Sequence, residues 1–279
     1  MRQRHPHASD VRAAPGLVAR LSLALASGAV LASASACAAG DAGASELLVA
    51  AASSLREPLS ATARRFEAAH PGLRVQLAFG ASSVLALQAR AGAPIDVLVS
   101  ADARIVEELA REGRIGARGE IARNRLVVIA SREAAPGLRG PGDLASDRVR
   151  RIALPEAAVP IGRYAREWLA AHALLGAVEA RAVRTEHARA TLVAVEQGQA
   201  DAAIVYATDA RLLREGRLAF EIPDAEQPRI AYIAAVLLET RQPQLASAFL
   251  AALRASECRA LLRDAGFGLP APDAAAEAP

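Results

Sequence analysis

From Glu46 onward, short uncharged apolar runs alternate with segments whose apolar residues recur at helical spacing. Runs such as "LLVAA" (47–51), "LVVIA" (126–130) and "AAIVY" (202–206) contain no outward-facing polar residue. They therefore suit strands covered on both faces, as in a parallel sheet. After the first run, Leu55, Leu59, Ala63 and Phe66 mark a helix that "HPG" (70–72) ends. "LRVQLAF" (73–79) reads as a strand, 82–91 as a helix, "APIDVLVS" (93–100) as a strand and 101–113 as a helix. The second half repeats the pattern, with strands at 151–154, 178–183 and 230–238 and helices from about Ile161 and from about His187. "QLASAFLAALRASECRALLRDAG" closes the chain with one or two helices.

This alternation predicts an α/β fold of two doubly wound α/β lobes. No Gly/Ser-rich linker separates them, so crossing strands are expected to join the lobes, with a ligand cleft between. The expected boundaries are residues 46–124 plus 239–270 for the first lobe and 125–238 for the second. Residues 271–279, "APDAAAEAP", are expected to be a disordered tail. The chain is 53% hydrophobic but only 3% aromatic, so Ala, Leu and Val must fill the core.

Residues 1–36 read as a signal peptide. Arg2, Arg4, Arg12 and Arg20 against Asp10 precede the uncharged stretch Leu21–Ala36. That stretch is 16 residues long, short of the ~20 needed to span a bilayer. The same 36 residues carry the whole net charge of +3, which leaves the remainder neutral. With no basic stripe and no interleaved aromatics, nucleic acid is not an expected partner. Periplasmic export is expected, either with cleavage at an Ala-x-Ala step or with lipidation of Cys37, which follows "ASA" although Ala34 stands where a lipobox has Leu. Cys258, in a helical pattern, reads as a small buried hydrophobe.

Four predicted helices begin just beyond predicted strands. Ser54 stands three residues before Glu57, a capping-box spacing. Ser82 and Ser83 open the second helix, Pro160 precedes Ile161 at the third, and Thr185 stands where a cap for the fourth would be. Each alone is an ordinary helix cap. Together, at the carboxyl ends of strands in an open α/β sheet, they place helix N-termini around one crevice. Helix N-termini offer unpaired N–H groups and partial positive charge, which suits an anion. No carboxylate apart from Glu57 adjoins the serine pairs. A site of donors alone favours a fully ionised oxyanion over one carrying a proton, because a buried O–H without an acceptor is costly.

An enzyme with Ser54 or Ser82 as nucleophile is the competing class. No G-x-S-x-G turn occurs, and no His or Lys is placed by sequence as its base. His70, His172 and His187 show no metal-ligand spacing.

The segments "VAAASSLREPL", "FGASSVLALQARAGAPIDVLVSAD", "NRLVVIA", "VPIGRYARE" and "ADAAIVYATDA" resemble, in order and spacing over residues 46–269, the periplasmic molybdate-binding proteins of ABC uptake systems. The resemblance implies a type II periplasmic binding protein that closes on one tetrahedral oxyanion, molybdate and by extension tungstate. It implies delivery to an ABC permease in the inner membrane, action as a monomer, no cofactor and no catalysis. By position it implies ligand contacts from Ser54 and Ser82, from the backbone N–H groups of Ile161 and Ala188, and from the phenol of Tyr206, with no direct metal ligand. Sulfate remains an alternative ligand. Ile161 is bulkier than the small residue common at its position, "ALPEAAVP" is one residue short, and "TEHARATL" keeps the pattern loosely. Of the other tyrosines, Tyr164 is expected to pack and Tyr232 to lie mid-strand.

Overall fold

The computed structural model describes residues 45–271. The expected signal peptide, Cys37 and the tail from residue 272 lie outside the described residues. The first sheet comprises β1 (Ser45–Ala52), β2 (Leu73–Gly80), β3 (Val97–Ser100), β4 (Ile115–Asn124) and β10 (Ile230–Leu237), in the order β2-β1-β3-β10-β4. The second comprises β5 (Leu126–Ala130), β6 (Ile152–Pro155), β7 (Ala182–Thr185), β8 (Ala202–Tyr206) and β9 (Arg217–Glu221), in the order β7-β6-β8-β5-β9. In each sheet three strands run parallel, and the strand that crosses from the other lobe enters antiparallel. Two doubly wound α/β lobes result.

The helices pack on the sheet faces as the apolar spacing requires. In the first lobe these are α1 (Arg56–Ala69), α2 (Ser82–Arg90), α3 (Ala103–Arg111), α8 (Pro243–Arg254) and α9 (Ser256–Asp264). In the second they are α4 (Pro160–Ala171), α5 (Leu175–Glu179), α6 (Ala188–Glu196) and the single turn α7 (Ala207–Ala210). The core is largely aliphatic, with a few small aromatic groups, one of them Trp168 with Phe220. Phe66 meets Phe249 edge-on under α1, and Tyr206, Tyr232 and Phe267 form a chain with centroids 6.1 and 5.3 Å apart. Cys258 is buried, and its thiol accepts the Thr62 hydroxyl.

Three sequence expectations need correction. First, the strand expected at 230–238 belongs to the first lobe and not to the second, so the first lobe does not resume at 239. β10 lies between β3 and β4, which makes the first lobe 45–124 plus 230–270. Seven of its eight residues are buried, which only a central strand allows. Second, residues 178–183 do not form one strand: α5 ends at Glu179, and β7 begins at Ala182. Third, β4 and β9 are strands that apolar patterning does not reveal. Both are sheet edges, where charged side chains and glycine replace a continuous apolar run.

Two segments cross between the lobes, Asn124–Leu126 and Ile222–Ile230. Gln227 ties them together. Its carbonyl accepts the Leu126 N–H at 2.8 Å, and its amide donates to the carbonyls of Leu126 and Ile222 at 2.9 Å each.

Candidate functional site

At the carboxyl end of β1 the chain makes one 3-10 turn, Ser53–Leu55, before α1 begins at Arg56. The expected capping box does not form. Leu55 is the N-cap of α1, and no side chain caps that helix. The Ser54 hydroxyl instead stands 2.8 Å from the Tyr232 hydroxyl, and Glu57 reaches across to Arg189 of the other lobe. Ser82 is the first residue of α2, and its Oγ accepts the Ala101 N–H at 3.0 Å. Both serines are almost fully buried. A hydroxyl that already accepts a backbone N–H has its own proton left to donate.

In the second lobe, Pro160 opens α4 as its spacing suggests, with Ile161 next. Gly162 follows because nothing larger fits. A Cβ there would lie 2.7 Å from the Pro155 carbonyl oxygen and closer still to that of Glu156. This close approach brings the first turn of α4 against the end of β6. Arg166 then braces it, donating to the carbonyls of Pro155 and Gly162 at 2.5 and 2.9 Å. Thr185 is not the cap of α6. It pairs with Thr191 at 2.8 Å, while His187 is the N-cap and its Nδ1 accepts the Ala190 N–H. Burial pushes the His187 imidazole below its ordinary value, which keeps that nitrogen an acceptor. Ala188, first in α6, is buried.

Ser54, Ser82, Ile161, Ala188 and Tyr206 all line one cavity between the lobes, and no charged side chain shares the lining. The cavity is small. The Ile161 and Ala188 N–H groups belong to first helical turns, where no intrahelical acceptor exists. The phenol oxygen of Tyr206, on a residue 1% exposed, has no hydrogen-bond partner. Burial raises its pKa well above the ordinary value, so it remains an O–H donor. Buried polar groups in proteins are almost always paired, so this oxygen calls for an occupant of the cavity.

Several neighbours are not identifiable from the sequence. Tyr232 does lie mid-strand, yet it stands behind Ser54 and receives an Asn124 N–H at 3.2 Å. Arg189 of α6 pairs with Glu57 of α1 at 2.9 Å and with Asp209 of α7 at 3.2 Å. Arg163 of α4 reaches Asp102 of the first lobe at 2.8 Å. Two ion pairs thus bridge the lobes. Burial lifts the Asp209 carboxyl to about 6, against the pull of Arg189. Tyr164 packs beneath Arg163, and burial pushes its phenol up to about 12. Long-range pairs such as Glu57–Arg189 leave no local pattern; the sequence trace is that Glu57, Asp102, Asn124, Arg163 and Asp209 fall inside the segments that resemble the molybdate-binding family, whereas Arg189 and Tyr232 do not. Among the described residues, no group of three His, Cys, Asp or Glu could hold a metal ion, and no helix is long and apolar enough to cross a membrane.

Two lobes joined by crossing strands, with helix N-termini around a small cavity between them, define a solute-binding protein. Residues 47–268 match the family described as bacterial extracellular solute-binding protein, and the chain belongs to that family. It is 32% identical over 230 residues to the molybdate-binding protein ModA of Mycobacterium tuberculosis, covering 82% of this chain and 86% of that one. Among solved structures, the Azotobacter vinelandii periplasmic molybdate-binding protein superposes with a TM-score of 0.70 at 25% identity, covering 80% of this chain and 99% of that one. The sulfate-binding protein SubI from M. tuberculosis superposes with a TM-score of 0.71 at 17% identity, over 82% and 88%, and shares the fold. The architecture is the type II periplasmic binding protein fold.

Proposed function

We propose that this protein captures molybdate outside the cytoplasm and delivers it to an ABC importer. The observation that carries the reading is the unpartnered, buried Tyr206 hydroxyl in a cavity whose other polar groups are serine hydroxyls and helix-start N–H groups. An occupant there must be compact and accept from every side, as a tetrahedral dianion does. The ligand set is Ser54, Ser82, Tyr206 and the N–H groups of Ile161 and Ala188. Each charge-assisted hydrogen bond contributes roughly 1.5–3 kcal/mol, so five suffice without a cationic side chain. The molybdate-binding relatives support the choice of anion.

Tungstate, of the same charge and geometry, is the expected second ligand. Sulfate satisfies the same donors and is the alternative. The reading needs neither catalysis nor cofactor: among the described residues the hydrogen-bond partners of Ser54 and Ser82 are the Tyr232 hydroxyl and the Ala101 N–H, and binding between lobes shifts the population toward a closed form that a permease recognises. A monomeric periplasmic location, with a lipid anchor at Cys37 if cleavage precedes it, completes the proposal. Calorimetric titration with molybdate, tungstate, sulfate and phosphate tests it. Tight binding of the first two is expected, and no heat with either would overturn the assignment.

A further inference from the structure

The hydrogen bond between Ser54 and Tyr232 can run in either direction when taken alone. Its surroundings decide the direction. The Asn124 carbonyl oxygen accepts the Arg125 N–H at 2.9 Å, which fixes the side-chain amide with its NH2 toward Thr208 Oγ1 at 2.9 Å and Tyr232 Oη at 3.2 Å. Flipping the amide would set NH2 against a backbone N–H. Tyr232 is wholly buried, and its oxygen already receives the Asn124 proton. Its own proton then has one acceptor within reach, Ser54 Oγ at 2.8 Å. Were Ser54 the donor, the Tyr232 proton would be buried without a partner, a costly arrangement. Ser54, having accepted, turns its own proton into the cavity that it lines. Ser82 is held similarly: the Ala101 N–H takes one of its lone pairs and leaves its own proton to donate.

We infer that Asn124 and Tyr232 form a relay that fixes Ser54 as a hydrogen-bond donor toward the cavity, and so act as positioning residues that discriminate against a tetrahedral oxyanion carrying a proton. The inference rests on the function proposed above and extends it to residues that do not line the cavity. An anion with its own O–H needs an acceptor in the wall. With one lone pair of each serine already taken and no carboxylate in the lining, these hydroxyls meet the anion foremost as donors. Without the Tyr232 proton, Ser54 is free to rotate and accept.

The test titrates the full chain with molybdate and with inorganic phosphate, at a mildly alkaline pH where phosphate is the hydrogen-bearing dianion. The proteins are wild type, Tyr232→Phe, Ser54→Ala and the double variant. Tyr232→Phe is expected to weaken molybdate binding by about tenfold, the scale of one charge-assisted hydrogen bond, and phosphate binding by less, so that the molybdate-to-phosphate ratio falls. In the Ser54→Ala background the same substitution should leave the ratio unmoved, since the relay then has no end. Equal losses for both anions, or a ratio change that persists without Ser54, overturns the relay. Asn124→Asp provides a second route should Tyr232→Phe fail to fold. Its carboxylate takes the Tyr232 proton and reverses the relay, while its charge acts alike on two dianions. An unchanged ratio there is equally fatal. A wild-type protein that binds neither anion refutes the function proposed above, whereas one that binds molybdate with an immovable ratio refutes the relay alone.

Discussion

The two walls of the cleft meet the same chemical demand by different means. The first lobe offers hydroxyls, Ser54 and Ser82, each already held by a hydrogen bond from its own lobe. The second offers first-turn backbone N–H groups and a phenol that nothing else holds. One wall is positioned by side-chain hydrogen bonds, the other by how closely a helix approaches its strand. Damage to each should therefore read out differently.

The largest effect is expected where helix approach is blocked. Gly162→Ala must push the start of α4 away from β6, at an overpacking cost of roughly 1–3 kcal/mol. It should weaken anion binding by tenfold or more, since ~1.4 kcal/mol is a factor of ten, and should also lower the melting temperature. Wild-type affinity in that variant would show that α4 contributes no ligand. Tyr206→Phe should come next, with a loss of affinity of about tenfold. Its companion readout sharpens the contrast between the walls. Without anion this variant should melt no lower than wild type, because the lost hydroxyl had no partner, whereas Tyr232→Phe, which breaks satisfied bonds, should melt lower.

Removal of the bridges should cost less, and unequally. The Asp102 side chain is 5% exposed and that of Glu57 51%. Glu57→Gln, which removes the exposed pair and leaves Arg189 with Asp209, should therefore weaken binding several-fold less than Asp102→Asn, which deprives Arg163 of its buried partner, since exposed pairs contribute ~0–1 kcal/mol. Equal effects would mean that the bridges do not govern closure. The smallest effect is a slope. Asp209 holds its proton up to about 6 in the folded protein, against 3.8 ordinarily. Between those values the native state binds more protons than the unfolded chain, so stability contributed by this group falls as pH rises across that window. Thermal unfolding of Asp209→Asn over the same window should lack that contribution; a superimposable pH profile would remove Asp209 from the account.

Much of this is legible along the chain. Short apolar runs identify the central strands, because a strand covered on both faces has no polar residues to lose. Edge strands β4 and β9, exposed on one side, carry no such mark. The five residues placed by family resemblance do meet at one cavity, and their positions in the sequence mark them as helix starts beyond strand ends. Their local bonding is another matter: Ser54 and Thr185 cap nothing, because Tyr232 and Thr191 offer their hydroxyls better partners than the helix ends do.

By itself, then, the sequence determined the features that depend on periodicity and local chemistry: the α/β class, the alternation of elements, and donors at helix N-termini. Only the tertiary structure decided that Ile230–Leu237 returns to the first sheet, that Glu57 and Asp102 bridge to the opposite lobe, and that a mid-strand tyrosine orients the first serine. Such contacts join residues far apart in the chain, and their geometry exists only after the lobes have packed.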